Sequence, residues 1–276
     1  MTVQFEPSPS SQPWRLRHQP FGAQLMSAVW AGEGRDDELL FASGHSLGPQ
    51  APVRGGVPVM FPQFNELGPL PKHGLVRTAL WREAGPRTDR LAGEGFSYQL
   101  EVDQTFDGRW PHAARLELSG HLDRHALEIT LAVENVGRSA FDWTGGLHPY
   151  FSTTDCLAAT LTGLEGSGLS DRYDARVARE RFTPLSWTGE AFERLYAEAP
   201  PLTLNAGSHR LQLSCSGFDQ WMIWNPGREL TRTIGDLGRE DWRRFVCVEP
   251  VIVTRPCRLA PAEIFRGRLR IEWLVN

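Results

Sequence analysis

The strongest constraint on this chain is a hydrophobic period of two that keeps returning in short runs. Phe96, Tyr98, Leu100 and Val102 alternate with Ser97, Gln99, Glu101 and Asp103, the pattern of a strand with one face on a core. Leu116 and Leu118 repeat it, as do Leu127, Ile129, Leu131 and Val133 against Glu128, Thr130 and Glu134. Between these two runs, Gly120 to Arg124 reads as a turn. Further short runs, Leu202 to Leu204, Leu211 to Ser214, Trp221 to Trp224, Phe245 to Val253 and Leu269 to Val275, are rich in β-branched or aromatic residues and bounded by Gly, Pro or Asn. No helical period is sustained for several turns. Such a chain is expected to be all-β, a large antiparallel β-sandwich rather than a small barrel.

With 276 residues the chain is long enough for a full hydrophobic core, and nothing in its composition marks a second domain. Residues 1–13, rich in Pro and Ser, are expected to form a flexible leader, with one domain over 14–276. The balance of 29 Lys plus Arg against 33 Asp plus Glu gives no general field for nucleic acid, though it leaves room for a local basic pocket. Cys156, Cys215, Cys247 and Cys257 have neither CxxC nor metal-ligand spacing, which points to reduced thiols and a cytoplasmic setting. No stretch has the length or apolarity of a signal peptide or membrane span.

Four segments combine backbone-shaping Gly or Pro with ionisable groups. Arg54 opens a Gly-Gly turn in Val53 to Pro62; read alone, it is as well a structural arginine on a surface. Lys72, His73 and Arg77 fall within one short stretch. If that stretch is extended, His73, Leu75 and Arg77 share a face, so that imidazole and guanidinium can line one anion-binding cleft; a solvated charge run is the equal alternative for this segment alone. His148 sits among Gly, Leu, Pro and two aromatics, where a packed core histidine is the plain alternative. Glu249 closes the apolar run from Phe245 and is expected at the buried end of its strand. Burying an unpaired carboxylate costs several kcal/mol or drives its pKa upward, so Glu249 needs a partner or a task.

Taken together, RGGVPVMFPQF at Arg54 to Phe64, KHGLVRTALW at Lys72 to Trp81, LHPYF at Leu147 to Phe151, WNPG at Trp224 to Gly227 and FVCVEP at Phe245 to Pro250 resemble the glucose-6-phosphate 1-epimerase family. These are the hexose-6-phosphate mutarotases of the galactose-mutarotase-like superfamily. The strings occur in the family's order, and the similarity covers nearly the whole chain after Phe21. The resemblance implies a large antiparallel β-sandwich, interconversion of the α and β anomers of a hexose 6-phosphate, and no metal or organic cofactor. It gives His148 and Glu249 the catalytic roles, and Arg54, His73 and Arg77 substrate-binding ones. Lys72 occupies a neighbouring binding position. A family D-x-x-Y pattern falls on Glu193 to Tyr196, so Glu193 stands where Asp is usual and adds a methylene to that substrate-binding position. Pro149 replaces a frequent Thr.

Mutarotation needs one base and one acid. The expectation is that Glu249 takes the anomeric proton while His148, as imidazolium, protonates the ring oxygen, with Arg54 and Arg77 on the phosphate. An imidazole with an ordinary pKa would be mostly neutral at pH 7, so this acid role needs a nearby carboxylate, and a bell-shaped rate profile is expected. The expected partner is a small sugar phosphate, with no nucleic acid or membrane and the protein a monomer. The alternatives are an aldose 1-epimerase for free hexoses and a carbohydrate-binding sandwich without turnover, which leaves Glu249 unexplained. A retaining glycosidase using Glu193 and Glu249 would leave His148 idle.

Overall fold

The computed structural model describes residues 14–32, 35–45, 47, 51–85, 95–123 and 125–274. The expected leader, 1–13, lies outside them. Nearly all regular structure is antiparallel strand, arranged in three sheets. The largest has nine strands, in the order Leu185–Ser186, Thr160–Thr162, Leu202–Asn205, Arg210–Ser216, Ile264–Trp273, Ala126–Asn135, Ala114–Leu122, Gly95–Val102 and Arg82–Glu83. A seven-stranded sheet runs Leu169–Asp171, Phe192–Tyr196, Gln220–Asn225, Phe245–Leu259, Phe141–Leu147 and Val59–Met60, with Tyr150–Ser152 also paired to Phe245–Leu259. A small third sheet joins Trp14–His18, Leu25–Gly32 and Arg35–Glu38. No helix of the described residues is long and apolar enough to cross a membrane.

The alternation read in the sequence is the alternation that builds the core. Leu116, Leu118, Leu127, Ile129, Leu131, Val133, Leu269 and Ile271 project from the large sheet into one apolar cluster. Trp221, Ile223, Val246 and Val248 of the seven-stranded sheet join the same cluster, so the two sheets form a sandwich around it. The turn expected at Gly120 to Arg124 is shorter than that. Gly120, His121 and Leu122 pair with Ile129, Glu128 and Leu127 and are still strand. The chain reverses beyond Leu122, where Asp123 Oδ1 accepts the amides of His125 and Ala126. Within this strand position 120 favours glycine, since a Cβ there would strike the Phe96 ring at 2.3 Å.

From Phe245 to Val253 the strand Phe245–Leu259 is buried on both faces, which is why this part reads as an apolar run. Val246, Val248 and Ile252 face the inter-sheet core. Phe245 and Cys247 turn the other way into one small apolar cluster with Phe41, Tyr150 and Leu237, and Val251 and Val253 into another with Met60, Phe64 and Met222. Glu249 belongs by parity to this second face. It does not end the strand, as the sequence suggested: pairing continues through Pro250 and Val251. Asn225 fixes the strand's start, donating through Nδ2 to the carbonyls of Trp242 and Phe245 at 2.8 Å each and accepting Gly227 N through Oδ1.

Beside this strand the chain needs two glycines. Gly145 and Gly146 lie between Met60 on one side and Val251 and Ile252 on the other, with φ of 147° and 148°. A Cβ would fall 2.1 Å from the Met60 carbonyl oxygen at Gly145 and 2.2 Å from that of Pro250 at Gly146. Both neighbours are backbone and cannot swing away. Gly145→Ala is expected to destabilise the protein by roughly 2–4 kcal/mol in urea denaturation, with unchanged midpoint contradicting the close approach.

Candidate active site

The second face of the seven-stranded sheet forms the floor of a pocket that opens to solvent. Period two carries its residues there: Glu193 from Phe192–Tyr196, Met222 and Trp224 from Gln220–Asn225, and Glu249 from Phe245–Leu259. Register aligns them, with Glu193 opposite Trp224 and Met222 opposite Glu249. His148 and Tyr150 enter from the irregular step between Phe141–Leu147 and Tyr150–Ser152. Their backbone amides donate to the carbonyls of Pro58 and Gly56, each at 2.9 Å. Loops close the rest of the wall. All seven residues singled out in the sequence, Arg54, Lys72, His73, Arg77, His148, Glu193 and Glu249, line this one pocket.

His148 Nε2 lies 3.4 Å from Glu249 Oε1, within reach of direct proton exchange once the pair tightens. Both side chains are nearly inaccessible, His148 at 7% exposure and Glu249 at 1%. His148 Nδ1 and Glu249 Oε2 have no hydrogen-bond partner among the described residues. The imidazole stacks on the Tyr150 ring, with centroids 4.7 Å apart and planes at 9°, and meets His73 edge-on at 5.4 Å. Trp224 closes on both, 5.9 Å from His148 and 6.2 Å from Tyr150.

Arg54 is held from behind. Its Nε donates to Asp236 Oδ1 at 2.6 Å and its Nη1 to the Tyr150 hydroxyl at 3.4 Å. Burial alone would lower its pKa, but the pull of Tyr150 and the bond to Asp236 hold it above the usual arginine range. The loop that carries it is clamped by buried Gln24, whose Nε2 donates to the carbonyls of Val53 and Gly55 at 2.8 and 2.7 Å.

The segment from Lys72 to Arg77 is not extended. His73 and Gly74 have φ of 66° and 80°, and Val76–Thr78 is a short 3-10 helix. A Cβ at Gly74 would fall 2.1 Å from the Phe61 carbonyl oxygen, so the chain must turn tightly here. His73 and Arg77 still meet in the pocket, brought there by a turn. Asn65 orders the imidazole: its N–H donates to His73 Nδ1 at 3.2 Å while His73 N donates to Asn65 O at 2.9 Å. The proton of the neutral ring therefore sits on Nε2. On the opposite wall, Arg172 Nη1 donates to both carboxylate oxygens of Glu193, at 3.1 and 3.4 Å.

Charge is unevenly matched. Lys72, Arg54 and Arg77 all line the pocket; Arg54 has Asp236, whereas Lys72 and Arg77 form no ion pair among the described residues. Burial and then the neighbouring Arg54 push the Arg77 pKa down, against the pull of Tyr150. Burial, followed by Arg77, Lys72 and Arg54, drives His73 to about 2. The same causes act on His148: burial first, then His73, Arg54 and Arg77, hold it well below the usual imidazole range. Glu249 moves the other way, well above a normal carboxylate, through burial and then Glu193. Both directions favour a neutral imidazole and a carboxylic acid over a charged pair. This replaces the imidazolium and carboxylate expected from sequence, because a dry site beside guanidinium groups penalises a charged ring.

Cys247 Sγ lies with ligand atoms of His148 and Glu249 inside 4.8 Å, a set with the right chemistry to hold a metal ion. An ion there would occupy the nitrogen and oxygen that face one another for proton exchange. Burial and the Glu249 charge raise the thiol well above its usual range, so it is a neutral thiol in the floor.

Tyr150 and Asp236 are the residues that sequence reading missed. Tyr150 stands in LHPYF, where its aromaticity hid a hydroxyl placed against Arg54. Asp236 follows a glycine in an ordinary loop, 182 positions from its arginine, and carries no local signal.

A family model described as aldose 1-epimerase matches residues 19–272. A relative from Cenchrus ciliaris named "Putative glucose-6-phosphate 1-epimerase" is 27% identical over 268 residues, covering 91% of this chain and 79% of its own length. One of the same name from Salmonella typhimurium is 28% identical over 250 residues, covering 85% and 79%. The crystal structure of a "putative mutarotase (YeaD)" from Salmonella typhimurium superposes with a TM-score of 0.82 at 23% identity, covering 96% of this chain and 88% of that one. Slr1438 from Synechocystis gives 0.75 at 18% identity, with full coverage of both. These two likenesses speak to the fold, which is shared along nearly the whole chain.

Because both imidazoles are lowered, they remain neutral at any pH above their shifted values. Imidazole nitrogen shifts of His73 and His148 in the free protein are expected to stay in the neutral range from pH 8 to pH 5, where an exposed histidine titrates near 6.5. A midpoint near 6.5 for either ring would contradict the burial described.

Proposed function

This chain belongs to the aldose 1-epimerase family, and from that premise we propose that its pocket interconverts the α and β anomers of a hexose 6-phosphate. The observation that carries the phosphate is the unmatched positive charge: Arg54, Arg77 and Lys72 line a cavity whose floor holds the buried His148 and Glu249 pair. Two half-buried guanidinium groups near one another repel, as the lowered Arg77 reflects. A phosphate monoester with close to two negative charges relieves that repulsion and offers oxygens to their N–H forks. A free sugar does neither. The names of the relatives agree with this substrate class.

Ring opening requires that the anomeric hydroxyl lose a proton and the ring oxygen gain one; the C1–O5 bond then breaks, the aldehyde rotates and the ring closes on either face. Glu249 and His148 share one proton between them, so one member is always base while the other is acid. With that shared proton on His148, the carboxylate of Glu249 takes the O1 proton and His148 Nε2 delivers its own to O5, with the direction reversed on closure. Burial keeps bulk water from exchanging these protons. Glu193, gripped by Arg172, and His73, ordered by Asn65, supply fixed polar groups for the sugar hydroxyls. The glutamate reaches a methylene further than aspartate, and Arg172 limits the freedom that this adds.

General acid–base groups contribute about 10² to 10⁴ in rate, so Glu249→Gln is expected to lower kcat by at least 10²-fold with little change in KM. The pH profile with unphosphorylated glucose is expected to be level through pH 6.5. The singly protonated pair persists there, since His148 is lowered and Glu249 raised. Arg77→Ala is expected to cut kcat/KM for glucose 6-phosphate by at least about tenfold, the scale of one charge-assisted contact, with no loss on free glucose. Equal losses on both sugars would reject the phosphate assignment.

A further inference from the structure

We propose that the substrate's phosphate, seated on Arg54 and Arg77, activates the acid–base step as well as anchoring the sugar, acting on His148 through the contact chain that starts at Arg54. This rests on the proposed hexose 6-phosphate chemistry and extends it from binding to rate. The chain of contacts is continuous. Asp236 fixes Arg54 at 2.6 Å, Arg54 reaches the Tyr150 hydroxyl at 3.4 Å, the Tyr150 ring lies flat on His148, and His148 faces Glu249 at 3.4 Å. The groups that bear on His148 are therefore known from every side: Glu249 and the Cys247 thiol on the strand below, Tyr150 on its own segment, His73 edge-on from the loop, and the two arginines above.

The two arginines act unequally on the pair. Both oppose a proton on His148, whereas the charges that set Glu249 are those of Glu193 and Lys72. A dianion on Arg54 and Arg77 removes the repulsion where it is felt, at the imidazole. One proton then moves from the Glu249 carboxyl oxygen to His148 Nε2: an O–H bond breaks, an N–H bond forms, and the net charge of the pair is unchanged. The product is the imidazolium and carboxylate that ring opening uses, present only when a phosphate is in place. A free sugar meets the uncharged pair and reacts slowly, so the phosphate raises turnover as well as affinity.

The test separates the two halves of the substrate. D-Xylose has the hexose ring without the phosphorylated arm, and phosphite dianion supplies the missing anion. Anomer exchange of D-xylose by the intact protein is followed by NMR with and without phosphite, after subtracting the exchange that phosphite alone catalyses. The expected result is a rise in kcat/KM of at least tenfold that saturates with phosphite and is lost in Arg77→Ala. In parallel, phosphite should move the His148 nitrogen shifts in the wild-type protein toward the protonated range at pH 7. Glucose 6-phosphate turnover with no phosphite effect on xylose and no change at His148 overturns activation while leaving the hexose 6-phosphate reading intact. No turnover of glucose 6-phosphate overturns both.

Discussion

A carboxyl group buried to 1% exposure in the middle of a strand is the constraint to which the rest of the molecule is fitted. Glu249 is there because the stretch from Phe245 to Val253 is covered on both faces and period two hands its odd residues to the pocket side. A buried carboxylate is costly enough to offset several well-packed aliphatic side chains. The site limits that cost by keeping the group protonated and placing an equally dry imidazole against it. Each member of the pair makes the other's unusual protonation tolerable, and neither would persist in a wet cleft.

Positioning follows from backbone more than from side-chain packing. Gly145 and Gly146 let the neighbouring strands close in and deliver His148 one residue beyond Leu147. The left-handed turn at His73 and Gly74 brings a second imidazole and Arg77 to the same cavity. Gln24 and Asp236 hold Arg54 from two sides. Loops thus provide the cations, and the sheet with the irregular step beside it provides the carboxyl and the imidazole, the two parts being joined where Arg54 meets Tyr150 and Tyr150 stacks on His148.

Much of the fold was legible because alternation is a direct record of burial. The runs at Phe96 to Val102, Leu116 to Leu118 and Leu127 to Val133 became strands whose apolar residues fill the core. The motifs also led to seven residues that share one pocket. What escaped was nonlocal. The end of the Glu249 strand was misplaced because Glu249 interrupts the apolar run from Phe245, yet pairing continues through Pro250 and is two-sided at Val251. The bend at His73 spans too few residues to show a period. Asp236 has no local pattern linking it to Arg54, and the protonation of His148 depends on charges from separate loops that only the folded chain assembles.

The measurement that bears most directly on this reading is two-dimensional NMR exchange spectroscopy of glucose 6-phosphate at anomeric equilibrium with catalytic amounts of the wild-type protein. Cross-peaks between the α and β H1 signals, growing with protein concentration far above the spontaneous rate, are the predicted result. Exchange that stays at the spontaneous rate, in a protein that remains folded and binds the sugar phosphate, would contradict it.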